Sequence, residues 1–246
     1  MEEQLASPPG GDQDQSDFWR LQGIFFEPTK TFQSISKRPS FWLPLLLTMI
    51  VAVLLWQAMP YFVDLEELFM EQARQNPQTE GLSDEQLEQQ MKFTVPLVQW
   101  VGPVVAPPVM LFLFAALILL MVYLTGNETS YKQLLGVTAH CLFFQTLIGS
   151  VMILLVYSLA SDPKAIDIQN PVFTNLGPLV DAKESPILSK LASSVDLVVW
   201  YVIYLLGLGT ATVSKRMAVG TGVALVAALY IVYVILGVGW TALWNS

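Results

Sequence analysis

Charged residues are scarce in this chain of 246 residues, where they make up 13% of the sequence against 54% apolar residues. An average soluble domain carries about 25% charged residues. Several apolar stretches continue without a formal charge past about 18 residues, the length that spans the hydrocarbon core of a bilayer. The sequence therefore predicts a polytopic integral membrane protein, whose first partner is the lipid bilayer.

Cysteine and histidine occur once each, as the neighbours His140 and Cys141. One thiol excludes an internal disulfide and a cysteine-rich metal site. Neighbouring residues on a helix point about 100° apart, which argues against a Cys–His nucleophile pair. The net charge of −8 argues against nucleic acid as a partner, because phosphate binding needs clustered lysine and arginine. We expect no metal, no cofactor and no enzymatic activity.

The interiors of the apolar stretches lack Asp, Glu, Lys and Arg. Ionisable groups inside a membrane are costly and usually functional, so their absence disfavours a proton-coupled carrier or an intramembrane aspartyl protease. Asp196 lies where one stretch begins, and we interpret it as a helix N-cap. The intramembrane polar candidates are Gln99, His140 and Gln145, and we expect His140 to form a hydrogen bond between helices.

Hydropathy divides the chain into five spanning segments, at about 41–63, 96–124, 134–160, 195–213 and 218–243. Each is long enough to cross a bilayer as a helix. The predicted fold is an all-α integral membrane protein, a bundle of five transmembrane helices with a short interfacial N-terminal helix.

The remaining residues are divided by composition. Residues 1–17 are acidic and rich in Pro, Gly and Gln, which predicts a disordered tail. Residues 18–40 are amphipathic and predict a segment in the membrane interface. Within the membrane domain, residues 41–246, the two long loops at 64–95 and 161–194 are predicted to be extracytoplasmic.

Two local patterns refine this division. Pro103, Pro107 and Pro108 remove backbone donors from the second segment and predict a kinked or broken helix. In the first long loop, Ser83 precedes Gln86 by three residues, the spacing of a capping box, so a helical hairpin is plausible there.

The cations predict the orientation, since lysine and arginine accumulate on the cytoplasmic side. With a cytoplasmic N-terminus, the inside carries Arg20, Lys30, Lys37, Arg38, Lys132, Lys215 and Arg216, and the outside carries Arg74, Lys92, Lys164, Lys183 and Lys190. The outside cations are diluted in long loops rich in acids, whereas Lys215 and Arg216 occupy a turn of a few residues. We therefore expect a cytoplasmic N-terminus and an extracytoplasmic C-terminus.

Aromatic residues, prolines and cations crowd into the stretch "FFEPTKTFQSISKRPSFWLP", residues 25–44. Cations near anionic lipid contribute about 1 kcal/mol each, so membrane anchoring explains the stretch, and docking of a protein partner is the alternative. The candidate interface or partner residues are Arg20, Lys30, Lys37, Arg38, Phe32 and Trp42.

Small residues recur in the last two segments, and small residues let transmembrane helices approach closely. The helix-packing candidates are Gly207, Gly209, Ala211, Gly220, Gly222 and Ala224. Neighbouring antiparallel helices must pack somewhere, which favours intramolecular packing over a homodimer and leaves a homo-oligomer open.

Three stretches carry a resemblance to a known family: "EPTKTFQSISKRPSFWLPLLL", "GNETSYKQLLGVTAH" and "SSVDLVVWYVIYLLGLGTATVSKRMA". From about Phe25 to Trp240 the chain resembles the Yip domain family, the Ypt/Rab-GTPase-interacting membrane proteins, and especially its prokaryotic branch. The resemblance implies five transmembrane helices, a cytoplasmic N-terminus and a C-terminus on the far side. Eukaryotic members take part in vesicle trafficking and bind Rab GTPases. They carry a longer cytoplasmic region with a distinct signature that is absent from this sequence, so GTPase binding is not carried over.

Together these patterns indicate a non-enzymatic multi-pass membrane protein that organises membranes or scaffolds partners. The resemblance to the prokaryotic branch places it in the bacterial inner (cytoplasmic) membrane. The alternative is a transporter, channel or lipid-moving protein built around the kinked second segment.

Overall fold

The computed structural model describes residues 16–75, 79, 81–163, 166, 171, 173–181 and 184–244. Most of the predicted tail, residues 1–15, and two of the loop cations, Lys164 and Lys183, lie outside these residues. Within them the chain forms ten α-helices and no named strand. The helices are α1 (Asp17–Phe26), α2 (Pro28–Lys37), α3 (Trp42–Ala58), α4 (Leu65–Gln75), α5 (Asp84–Pro96), α6 (Gly102–Leu124), α7 (Tyr131–Leu159), α8 (Pro186–Ser194), α9 (Leu197–Val213) and α10 (Val219–Trp244).

Four helical runs are long and apolar enough to cross a membrane. They are Trp42–Tyr61, Asp84–Leu124, Tyr131–Leu159 and Val219–Leu243. The fifth apolar helix, α9, has 17 residues, which at 1.5 Å per residue is about 25 Å, a little less than a hydrocarbon core. This architecture confirms the predicted all-α membrane bundle.

The centre of the bundle is α7, which packs against α1, α2, α3, α6 and α9. Its first half is enclosed on all sides, since residues 134–141 are all buried. The other face of α9 packs on α10. Because α9 lies between α7 and α10, it is rich in buried residues although it is short.

The bundle has two ends that differ in construction. At one end, which we call the hairpin end, α2 meets the turn between α6 and α7 and the turn between α9 and α10, and α1 packs on α2 and α7. The side chain of Gln133, at the start of α7, donates to the carbonyl of Ser36 on α2 across 2.8 Å. At the opposite end, the loop end, α4, α5 and α8 lie beside the far ends of the spanning helices, where Phe62 contacts Tyr157.

The N-terminal segment differs from the expected single interfacial helix, because it folds as two helices that pack on the bundle. Phe32 is fully buried. A Cβ added to Gly209 on α9 would lie 2.9 Å from the Phe32 ring and 2.4 Å from Val137 on α7, so the phenyl ring fills the space that this glycine leaves. Phe32 thus contacts protein and not lipid. Hydropathy indicates only that Phe32 avoids water, and both the protein interior and the lipid exclude water.

The prolines of the second spanning run coincide with a local change in its backbone hydrogen bonding, but the run remains helical. A π-helical turn, Leu97–Val101, joins α5 to α6, and α6 continues through Pro107 and Pro108. Pro103 has no N–H, so the carbonyl of Gln99 loses the donor that an α-helix would place four residues later. The side chain of Gln57 on α3 supplies a replacement, with Nε2 3.4 Å from that carbonyl oxygen.

The predicted hairpin in the first long loop is present as α4 and α5. Ser83 and Gln86 form both bonds of a capping box at the start of α5. Arg74 on α4 donates to Asp84 across 3.1 Å and ties the two helices together. The spacing of Ser83 and Gln86 in the sequence therefore predicted the start of α5 correctly.

The small-residue candidates divide into two groups. Gly207 on α9 faces Gly222 and Val223 on α10, so these helices contact each other through their backbones. Ala211 lies in the same contact. No atom of the described residues lies within 4 Å of a Cβ added to Gly220, and Ala224 is exposed. In contrast to the expectation, Gly220 and Ala224 therefore lie on the outer surface of the bundle.

Candidate functional site

Three segments that are far apart in the sequence meet at the hairpin end. They are the end of α2, the turn 125–130 and the turn 214–218. Gly126 lies in the left-handed region at φ 73°, a conformation that suits glycine and lets the first turn reverse. Ser130 then begins α7 with a capping box to Gln133. These local signals place both turns beside α2.

Hydrogen bonds join the two turns directly. The hydroxyl of Thr129 donates to the carbonyl of Val213 across 3.1 Å. The backbone N–H of Lys215 donates to the carbonyl of Glu128 across 2.9 Å, and their side chains form an ion pair with Nζ 3.0 Å from Oε2. Exposed ion pairs contribute little to stability, so the backbone bonds and the Thr129 bond define this junction.

Between these segments lies a cleft of about 670 Å³, which we call the polar cleft. It is lined by Ser36, Tyr123, Glu128, Thr129, Ser130, Gln133, Thr212, Val213, Ser214 and Lys215. The Oγ of Ser214 is buried and has no hydrogen-bond partner among the described residues. Arg216, two residues on, is held at φ 63°, a conformation that costs a non-glycine residue about 1–2 kcal/mol. Strained backbone conformations of this kind cluster at binding sites.

Arg20 was expected at the membrane interface or in a partner contact, and the structure places it inside the α1–α2 hairpin. It is 3% exposed. Its guanidinium donates to Asp17 across 3.0 Å, to the hydroxyl of Ser34 across 3.0 Å and to the carbonyl of Arg38 across 2.8 Å. A planar guanidinium offers five donors in a fixed arrangement. Arg20 therefore holds the end of α2 to the beginning of α1.

The other interface candidates remain on the surface. Lys30 is exposed and pairs with Glu27 across 2.6 Å. Lys37 and Arg38 are exposed at the end of α2. Trp42 is 69% exposed at the start of α3 and packs on Phe41 with ring centroids 4.6 Å apart. These side chains therefore lie on the surface of the protein.

The intramembrane polar candidates do not form one site among the described residues. The carbonyl of Gln99 accepts from Gln57. Instead of bonding between helices as expected, His140 uses Nδ1 to bond the carbonyl of Gly136 on its own helix, across 2.7 Å. Gln145 is half-buried. None of the candidates lines the polar cleft or a second cleft at α4, which is lined by Asp64, Glu66, Glu67, Met70, Glu71 and Arg74.

Asp196 caps α9 at the loop end, as its position predicted. One carboxylate oxygen accepts from the N–H groups of Val198 and Val199 across 2.7 and 3.0 Å. The other accepts from the hydroxyl of Thr174, 2.7 Å away. The same residue therefore starts a helix and fastens the preceding loop.

Sequence reasoning missed three contributors. Gln57 was overlooked because it is one polar residue in a long apolar run, and only the missing N–H of Pro103 hinted that a donor was needed. Thr129 and Ser214 were overlooked because turns of ordinary composition give no signal of the cleft between them. Both residues do belong to stretches that carry the family resemblance, which marks the two turns but does not show that they meet.

Comparison with known families identifies the family to which the chain belongs. A family profile described as the Yip1 domain matches residues 23–241. Comparisons with curated proteins and with solved structures find no match. The matched region begins within α1, includes both turns of the polar cleft and ends near the end of α10. The chain belongs to the Yip1 domain family.

Proposed function

We propose that this protein organises membranes by holding a protein partner at the hairpin end, without catalysing a reaction. The observation that carries the proposal is the exposed basic surface along α2, formed by Lys30 near its start and by Lys37 and Arg38 at its end. The hairpin beneath it is fastened to the bundle by buried Phe32. A basic surface on a fixed support suits an acidic partner, because complementary charge steers association and selects the partner.

The surroundings increase the positive charge of this surface. Lys132 is exposed at the start of α7, and Lys215 and Arg216 are exposed on the neighbouring turn 214–218. At the loop end, by contrast, the first turn of α4 carries Glu66 and Glu67. The contrast supports an orientation in which the hairpin end faces the cytoplasm, in keeping with the positive-inside rule. The resemblance to the prokaryotic branch supports the inner membrane of a bacterium as the location.

Arg20 contributes to this function indirectly. It bonds the carbonyl of Arg38 and the hydroxyl of Ser34 from inside the hairpin. The backbone that carries Lys37 and Arg38 is therefore held in one position before a partner arrives. A preorganised surface loses less conformational entropy on binding.

The test is affinity purification of the tagged full-length protein from its native membrane in mild detergent, followed by mass spectrometry. We expect a stoichiometric protein partner that is lost from the triple variant Lys30→Gln, Lys37→Gln, Arg38→Gln. The matched control is Arg74→Gln, Lys92→Gln, Lys190→Gln, which removes the same charge from the loop end. Finding no stoichiometric protein, or an equal loss from both variants, contradicts the proposal.

A further inference from the structure

We propose that the polar cleft binds the headgroup of an anionic phospholipid from the leaflet at the hairpin end. The inference goes beyond the proposed function, since it requires no protein partner. The cleft combines three properties that a headgroup site needs: unused hydrogen-bond donors, a surplus of positive charge, and direct continuity with a lipid-facing apolar surface.

The donors are Ser214 and Lys215. The hydroxyl oxygen of Ser214 is buried at the wall of the cleft without a partner among the described residues. Burying an unpaired hydroxyl costs free energy, so a Ser214 side chain that turns its hydroxyl toward a ligand oxygen in the cleft gains a hydrogen bond and removes this cost. The ammonium of Lys215 has three N–H donors, and its bond to Glu128 uses one of them.

The charge around the cleft is positive. Lys132, Lys215 and Arg216 lie on the two turns and the first residues of α7, and Glu128 is the one acid on the same turns. The peptide dipoles of α7 point their positive end in this direction, because the helix begins at Tyr131. An anion is favoured here by both sources of charge.

The cleft also opens beside apolar surface. Tyr123 lines it from the end of α6. Leu120 and Leu124, one turn apart on the same helix, are exposed. Residues three and four apart share a helix face, so Leu120 and Leu124 continue the lipid-facing surface up to the wall of the cleft. A phosphate in the cleft can therefore remain attached to acyl chains that lie along α6.

Glu128 competes with the phosphate for Lys215. Its carboxylate lies 3.0 Å from Nζ, where a phosphate oxygen would also bind. Removing the Lys215 charge should weaken lipid binding, whereas removing the Glu128 charge should strengthen it. If the ion pair had only a structural role, both changes should alter lipid affinity in the same direction. Opposite changes in lipid affinity would therefore identify a binding site.

The experiment uses the full-length protein, delipidated in detergent and titrated with phosphatidylglycerol while native mass spectrometry counts the bound lipids. Phosphatidylcholine with the same acyl chains is the control lipid. We expect phosphatidylglycerol to bind about tenfold more tightly, Lys215→Gln and Ser214→Ala each to weaken it severalfold, and Glu128→Gln to strengthen it. Lys92→Gln, an exposed lysine in an ion pair at the loop end, should leave binding unchanged.

Three results would overturn the inference. The first is equal binding of the two lipids. The second is a change of the same sign in Lys215→Gln and Glu128→Gln. The third is full displacement by soluble glycerol phosphate at the concentration of the lipid, which would identify a site for a free phosphate. Melting temperatures of the variants, recorded in the same detergent, separate a lost site from a lost fold.

Discussion

Gly207 and Gly222 hold the backbones of α9 and α10 in direct contact. A Cβ added to Gly222 would lie 2.3 Å from the carbonyl oxygen of Gly207, and a Cβ added to Gly207 would lie 2.4 Å from the Cα of Val223. The atoms that block a side chain are backbone atoms, which cannot move aside without moving a helix. The close packing of α9 on α10 therefore requires glycine, which has no side chain, at both positions.

Replacing Gly222 by Ala should destabilise the protein by about 1–3 kcal/mol, the usual cost of overpacking. The gain in helix propensity, about 1 kcal/mol, offsets part of this cost. The measurement is the midpoint of thermal unfolding in detergent.

Gly220→Ala is the matched control on the same helix. No atom lies within 4 Å of its added Cβ, so only helix propensity changes, and stability should stay constant or rise by up to about 1 kcal/mol. Equal losses in Gly220→Ala and Gly222→Ala would show that the α9–α10 contact is looser than described.

Arg20 gives a second prediction, which concerns the N-terminal hairpin. Arg20→Ala leaves the carbonyl of Arg38 without its donor and should destabilise the hairpin by about 1–3 kcal/mol, the cost of an unpaired buried group. Arg20→Lys should not restore it, because one ammonium cannot reach three acceptors with the geometry of a guanidinium. Amide hydrogen exchange of α2 measures the effect locally and should accelerate in both variants.

Lys30→Gln is the control within the hairpin. Lys30 forms an exposed ion pair with Glu27, and such pairs contribute about 0–1 kcal/mol. Exchange in α2 should therefore stay close to that of the unchanged protein. Slower or unchanged exchange in Arg20→Ala would refute the role of Arg20 as the fastening of the hairpin.

The sequence predicted those parts of the fold that depend on local chemistry. Ser83 and Asp196 were identified as helix starts because a capping side chain and its N–H partners lie within three residues of each other. The spanning segments were predicted because hydropathy accumulates over a window as long as a bilayer is thick. Each of these signals is complete within one short stretch.

The hairpin packing and the polar cleft were not predicted, because both depend on distant pairs. Phe32 meets Gly209, and Glu128 meets Lys215, and no local pattern records such a meeting. In a membrane protein the apolar face of a helix fits lipid as well as protein, so Phe32 was assigned to the interface. Arg20 was assigned there because cations favour anionic lipid. The structure distinguishes the two surroundings because it shows which atoms lie around each side chain.

Gln57 and Pro103 give a third prediction, which tests whether one side chain replaces the donor that the proline lacks. Gln57→Leu should cost about 0.5–1.5 kcal/mol, the net contribution of a typical hydrogen bond. In the background Pro103→Ala, a backbone N–H can bond the carbonyl of Gln99, so the same change should cost almost nothing. A double-mutant cycle on unfolding free energies isolates this coupling. Additive effects would show that Gln57 and Pro103 act independently.

Asp196 gives a fourth prediction, which separates a structural carboxylate from a functional one. Asp196→Ala removes the acceptor for Val198 and Val199 and should cost about 0.5–2 kcal/mol, as the loss of an N-cap does. Asp196→Asn keeps an acceptor oxygen for both N–H groups, and Asn is as good an N-cap as Asp. The amide can also bond Thr174, whose hydroxyl then rotates to accept.

The two variants should therefore differ in stability, with Asp196→Asn close to the unchanged protein and Asp196→Ala clearly below it. Thermal unfolding in detergent measures the difference, and the affinity purification described above measures partner binding in parallel. A protein that moves protons or cations through this carboxylate needs its charge, and would lose activity in Asp196→Asn at full stability. Full stability together with full partner capture in Asp196→Asn would show that residue 196 has a structural role only, which is to begin α9 and to hold Thr174 beside it.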